Sequence, residues 1–234
     1  MSAEQIAPVS SSSSADVRTS DPAAAPLSPS SRTRLNRSKE RARFDRAELY
    51  AVLDAGLICH LGVVVDGTPR VIPTGYGRLG DTLYLHGSTG ATSLRAGGEV
   101  CVTVTHVDGI VLARSVFHHS VNYRSAMIYG VPRLVADPEE KLTGLRVLTE
   151  QLAPGQWAAA RRPSAKELAA TAVLALSLRE ASVKMRQGPP NDDEEDLARP
   201  IWAGVLPLVT AWGDPVPDPL LTPGIPVPRH ISER

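Results

Sequence analysis

Two short stretches concentrate the groups able to do chemistry. "HHSVNYRS", residues 118 to 125, bunches His118, His119, Ser120, Asn122, Tyr123, Arg124 and Ser125 between two runs of apolar and β-branched residues. "LHGSTGATSLRAG", residues 85 to 97, supplies His86, the hydroxyls of Ser88, Thr89, Thr92 and Ser93, and the flexible backbone of Gly87 and Gly90. Such a turn, leading into a helical turn, presents free amides and the positive end of the peptide dipole, both of which attract phosphate. The same composition also serves an ordinary turn. Arg124 offers a planar, always-protonated fork to a phosphate, or equally to a carboxylate on a neighbouring strand. On a regular strand Arg124 and Ser125 point to opposite faces. Both reach one ligand only at a strand end, a bulge, or a wall whose outer face meets a second subunit.

Other site chemistries are not supported. There is no G-x-G-x-x-G, Walker loop, G-x-S-x-G or H-E-x-x-H. His118 and His119 invite a metal, but adjacent strand residues face opposite sides, and no carboxylate or Cys stands at ligand spacing, so no metal site is expected. Cys59 and Cys101 lie in apolar runs without C-x-x-C spacing and read as reduced core residues.

The elements that must position these groups are legible in outline. Asp45, Asp137 and Ser164 each precede a Glu by three residues, the pattern of a helix cap, and predict helices over 45–55, 138–152 and 164–171, the second with Pro138 at its first position. Between the first two, β-type runs alternate with Gly, Asp and Pro: "LICHLGVVV", "PRVIPTGYGRL", "TLYLHG", "EVCVTVTHV", "GIVLARSVF" and "YRSAMIYGVPRLV". A seventh, "VLALSLREASVKMR", follows the third helix. Six or seven meandering antiparallel strands predict a small barrel with helices packed outside.

Composition sets the boundaries. Residues 1–40 are Ser-, Pro- and Ala-rich and then basic, and are expected to be disordered; 41–212 form the folded domain, and 213–234 are a Pro-rich tail. With 25 basic and 25 acidic residues the chain carries no global field for nucleic acid or an anionic membrane. The seven Arg or Lys of residues 32–46 read either as an arm for an anionic partner or as a solvated lead-in that pairs with the acidic run 192–196. No membrane span or secretory signal is evident, so a cytoplasmic location is expected.

"LDAGLICHLGVVVDGTPRVIPTGYGRLGDTLYLHGS", "VCVTVTHVDGIVLARSVFHHSVNYRSAMIYG", "KMRQGPPNDDEED" and "WAGVLPL" together resemble the pyridoxamine 5'-phosphate oxidase-like flavoproteins, in particular their nitroimidazole-reductase-related branch. The resemblance spans about residues 32 to 219. It implies a mainly β fold, a six-stranded antiparallel split β-barrel with flanking helices, which forms a homodimer with two FMN sites at the subunit interface. It assigns phosphate and ribityl roles to His86, Ser88, Ser93, Arg124 and Ser125, and ring-lining roles to Pro73, Thr74 and Gly75. Trp202 would close over the site from the other subunit. The basic residue that many such proteins place near the phosphate turn is absent from "STGATS". The function implied is an FMN-dependent oxidoreductase moving electrons from NAD(P)H to a small organic acceptor, with His86 as the candidate for proton transfer. The alternative is a non-catalytic haem-, flavin- or deazaflavin-binding module, in which His118 or His119 would be the axial ligand of haem.

Overall fold

Helix caps act where the sequence places them. The computed structural model describes residues 26–27, 30–90 and 97–234. Asp45 accepts from the amide of Ala47 at the start of α1 (Arg46–Asp54), and Asp137 accepts from Glu140 at the start of α2 (Pro138–Leu152). Two short helices follow, α3 (Gln156–Ala159) and α4 (Ala165–Ala170), and α5 (Arg229–Ser232) closes the chain. Only Ser164, ahead of α4, forms the full reciprocal box with its Glu, Glu167. The acids at the other two positions have different partners: Glu140 takes Arg133 and Tyr84, and Glu48 approaches Arg43. No helix among the described residues is long and apolar enough to cross a membrane.

Ten strands form one antiparallel sheet: β1 (Ala42–Arg43), β2 (Ile58–Val65), β3 (Thr68–Leu79), β4 (Thr82–Ser88), β5 (Val100–Leu112), β6 (Ser120–Gly130), β7 (Arg133–Leu134), β8 (Thr171–Ser177), β9 (Glu180–Arg186) and β10 (Gly204–Pro207). Their order is β1-β9-β6-β5-β2-β3-β4-β8-β7, with β10 added to β5. The mainly antiparallel β architecture with flanking helices is as expected. The strand count is higher because β1, β7 and β10 are short edge additions.

The split lies in β3. Residues Thr68 to Gly75 pair with β2, whereas Tyr76 to Leu79 pair with β4. The chain therefore changes partner at Gly75 and leaves one edge of 68–75 without a strand among the described residues. Inside, Leu61 and Val63 of β2, Leu83 and Leu85 of β4, Val102 and Val104 of β5, Ile128 of β6 and Leu174 and Leu176 of β8 meet Leu49, Val52 and Leu53 of α1. Cys59 is in this core and Cys101 is half-buried; both are free, and burial pushes the Cys59 thiol up to about 12. A second, smaller cluster joins α2 to the outer face of β4 and β8 through Tyr84, Leu148 and Val173. Gly144 permits it, since a Cβ there would lie 2.9 Å from the Tyr84 ring.

Three expectations are corrected. "EVCVTVTHV" and "GIVLARSVF" are not separate strands. They make one continuous β5, with a bulge at Asp108 and its end at Leu112. Gly109 is needed there because β10 runs so close that a Cβ would lie 2.9 Å from Leu206 O. "VLALSLREASVKMR" is not one strand but the hairpin β8–β9, turning at Leu178 and Arg179. Finally, residues 26–27 and 30–40, read as part of a disordered lead, contact the fold: Leu27 is buried and donates its amide to Phe44 O, and Arg32 bridges Glu99 and Glu180. Residues 1–25 lie outside the described residues.

The C-terminus of α1 shows how one polar side chain closes the barrel. Gln151 Nε2, from α2, shares its two protons among the carbonyls of Leu53, Asp54 and Gly56 at 3.1, 3.1 and 2.7 Å, while His106 Nε2 donates to Val52 O at 2.9 Å. Val52, Leu53 and Asp54 are in the last turn of α1, whose carbonyls lack partners within the helix, and Gly56 follows it; Leu53 O also accepts from Tyr76 Oη. Gln151→Ala is therefore expected to destabilise the protein by about 1–3 kcal/mol, read as a lower urea midpoint with unchanged slope. A variant as stable as the wild type would mean that water satisfies these carbonyls equally well.

Candidate functional site

The "HHSVNYRS" stretch runs from a pinned corner between β5 and β6 into β6 itself, which Ser120 begins. Asp192, whose side chain is 1% exposed, accepts from Arg114 N at 2.7 Å, from Arg114 Nη1 at 2.9 Å and from Ser115 N at 3.4 Å. Burial alone would raise its pKa, but the Arg114 side chain and the two amides outweigh burial and hold it below the ordinary carboxylate range. Ser115 Oγ then accepts from Phe117 N, and residues Val116–His118 wind into a 3-10 turn. Asn122 anchors the next segment: its Nδ2 donates to Gly188 O at 3.1 Å and its Oδ1 accepts from Arg186. Arg114 Nε is the one buried side-chain nitrogen or oxygen without a partner among the described residues.

With the backbone so fixed, the side chains of the turn face out. Val116 is 86% and Phe117 88% exposed, the most open large apolar side chains on the barrel itself. His118 Nε2 lies 3.0 Å from Asp193 Oδ2, and the His118 ring stands edge-on to Phe117. His119 Nδ1 lies 3.0 Å from Ser115 O. A carbonyl only accepts, so Nδ1 carries a proton, and in the neutral ring Nε2 is the nitrogen with the lone pair.

A second surface forms where β3 changes partner. Strand alternation puts Pro73 and Gly75 on one face, together with His86 and Ser88 of β4, since Gly77 and Tyr84 are paired on that face. A Cβ at Gly75 would meet nothing within 4 Å, so the backbone there is open, whereas Gly77 is covered by α2 at Val147. Thr74 is half-buried on the other face and turns its hydroxyl to Gly75 O. His60, the cross-strand partner of Pro73, brings an imidazole to the same open face. Past Ser88 the chain enters the proposed phosphate turn. Ser93 lies outside the described residues.

The turn borders a cleft of about 530 Å³ lined by Thr89, Gly97, Pro132, Leu134, Lys141 and Thr171 among others. Lys141 Nζ donates to Leu168 O at 2.6 Å. It brings a cation to the cleft beside Thr89, where "STGATS" itself has none. Nothing local in the sequence marks it, because it arrives on α2, more than forty residues after the turn.

The remaining candidates are placed elsewhere. Arg124 forks onto Asp108 with Nε and Nη2, at 2.9 to 3.2 Å, and this hydrogen-bonded partner raises its pKa. Ser125 is on the opposite face of β6 and donates to Lys184 O. In the sheet order β5, β2 and β3 stand between both residues and β4. Within one chain, therefore, the structure unites Pro73, Gly75, His86 and Ser88 but not Arg124 or Ser125. Trp202 is largely exposed and its ring covers Gly204 of β10, beside the pinned corner.

A barrel whose third strand changes partner, with an open backbone edge beside a phosphate-type turn, is the split-barrel architecture of flavin-binding proteins. Residues 45–185 match the sequence profile of the pyridoxamine 5'-phosphate oxidase family, and the chain belongs to that family. Among solved structures it is similar to the flavocytochrome Anf3 from Azotobacter vinelandii, with 42% identity and a TM-score of 0.85 over 89% of this chain and 98% of that one. It is similar also to the FAD and haem binding protein from Mycobacterium smegmatis, with 40% identity and a TM-score of 0.79 over 82% and 96%. A structure described as a 5-nitroimidazole antibiotic resistance protein from Bacteroides thetaiotaomicron, 22% identical at a TM-score of 0.53 over 61% and 85%, shares the fold. None of the curated proteins compared matches.

Asp192 gives a pH test of the corner. A carboxyl held below its unfolded pKa contributes stability above that value and loses the contribution as pH falls through the folded pKa. Asp192→Asn is expected to melt below wild type at pH 7, and the gap is expected to close below about pH 4 as the wild-type carboxyl takes up its proton. A gap that persists unchanged into acid would mean that the charge of Asp192 contributes nothing.

Proposed function

We propose that the protein is a homodimeric flavocytochrome: it binds FAD and haem and passes electrons from a nicotinamide donor through the flavin. The observation that carries this reading is similarity at 42% and 40% identity, over nearly the whole of each relative, to two proteins described as a flavocytochrome and as an FAD and haem binding protein. The flavin and the haem supply the electron chemistry, and the chain binds and orients them.

The geometry supports each part. On the β3–β4 face, the open backbone of Pro73 to Gly75 suits a flat ring, and Ser88 and Thr89 lead to the phosphates. Lys141 and its cleft supply charge and room for the second phosphate and nucleoside by which FAD exceeds FMN. His86 stands on the same face and is the side chain best placed to move a proton. The corner at Val116 to His119 offers an apolar surface and imidazole for haem.

The outer face of the sheet supports the dimer. Ile58 and Val64 of β2, Val71 of β3, Val107 of β5 and Met127 of β6 are exposed on it, a patch that a second copy would cover. In that dimer Trp202, Arg124 and Ser125 of one subunit would complete the site of the other.

Light scattering with absorbance detection, followed by mass analysis of the released cofactors, tests the whole reading on one sample. The expected result is a particle of twice the 24.9 kDa chain mass, with flavin and Soret bands in the same peak and FAD released on denaturation. Released FMN without haem would return the protein to the simpler oxidoreductase reading, and a monomer with full cofactor content would overturn the shared site.

A further inference from the structure

Given the flavin-and-haem reading, on which this inference rests, the structure bears on which histidine holds the iron. We propose that His119 is the axial ligand of the haem, through Nε2, and that Val116 and Phe117 form the surface against which the porphyrin lies.

A histidine that binds a metal almost always donates its other ring N–H to a carbonyl or carboxylate, which fixes the tautomer and aims the free nitrogen. His119 meets this condition: Nδ1–H is held by Ser115 O at 3.0 Å, the residue is exposed, and Nε2 is the nitrogen far from its own backbone. The acceptor is itself rigid, because Ser115 N and Arg114 N are tied to the buried Asp192. The other five histidines fit less well. His106 spends Nε2 on Val52 O beneath α1, and His230 Nε2 faces Gln156 Oε1 from the C-terminal helix. His118 spends Nε2 on Asp193, which leaves only Nδ1, the nitrogen nearest its own backbone. Among the described residues no hydrogen bond orients the ring of His60 or His86, and both lie on the face assigned to the flavin.

The neighbouring surface supplies what one imidazole cannot. Val116 and Phe117 stand 86% and 88% exposed on a backbone that Ser115 and Asp192 hold in place. Exposed apolar side chains on a fixed turn, rather than on a loose one, mark a contact surface. A flat apolar macrocycle with a metal at its centre needs such a surface near its ligand, and Val116 and Phe117 precede His119 in the same fixed turn.

The test is hemin titration of the full-length protein, comparing wild type with His119→Ala and His118→Ala, each checked for unchanged flavin content. Wild type is expected to give the Soret and visible bands of histidine-ligated haem. His119→Ala is expected to bind hemin at least 10-fold more weakly with an altered Soret band, and added imidazole is expected to restore the wild-type spectrum. A merely structural role would not be rescued by imidazole. His119→Ala with wild-type affinity and spectrum overturns the assignment, as does loss of the band in His118→Ala alone. Wild-type protein that neither carries haem as purified nor takes up hemin overturns instead the flavocytochrome reading on which the assignment stands.

Discussion

Asp192 is a carboxylate with 1% of its side chain exposed, and the arrangement of the pinned corner depends on it. Removing a carboxylate from water is costly unless every lone pair finds a donor, and Asp192 finds the Arg114 guanidinium and two successive amides. The backbone cannot then continue β5 past Leu112. It bends into the 3-10 turn, puts Val116 and Phe117 into solvent, and re-enters the sheet at Ser120 as β6. The segment 187–193 is held to the same corner from its other end by Asn122 and Arg186.

From this corner the two candidate surfaces separate. One is the face of β3 and β4 where the chain changes partner, with open backbone at Gly75 and a cation reaching in from α2. The other is the aimed imidazole and apolar platform at residues 116–119. Both rest on regular strands or on a turn locked to them, which is how a site holds its geometry without a dedicated loop. Arg124 belongs to neither within one chain. Its fork is occupied by Asp108, and that ion pair closes the bulge by which β5 runs on past Gly109 to meet β10.

What could be read from residues alone was what local chemistry controls. Caps at Asp45, Asp137 and Ser164 act within one turn, so they were visible, whereas Pro73 and Gly75 came into view only through the family resemblance. Alternation could not divide β8 from β9, because β8 is buried on both faces: Leu174 and Leu176 enter one core, Val173 and Ala175 the other. Asp108 and Gly109, which separate two β-type runs in the sequence, form a bulge within one strand, and Asp108 there pairs with Arg124 across the ladder. Lys141 and the partner of Arg124 were out of reach for one reason: the fold, not the sequence spacing, brings them to their sites. The two adjacent histidines were legible as candidates. What distinguishes them, the contacts to Ser115 O and Asp193, is set by the fold and not by their spacing.

We propose that the dimer carries flavin and haem and passes electrons from the one to the other. Anaerobic mixing of the holoprotein with NADPH, with flavin and Soret absorbance followed on the same sample, tests it most directly. The account predicts that the flavin band bleaches and the haem Soret band then shifts to its ferrous position. Flavin that reduces fully while the haem stays ferric would contradict it.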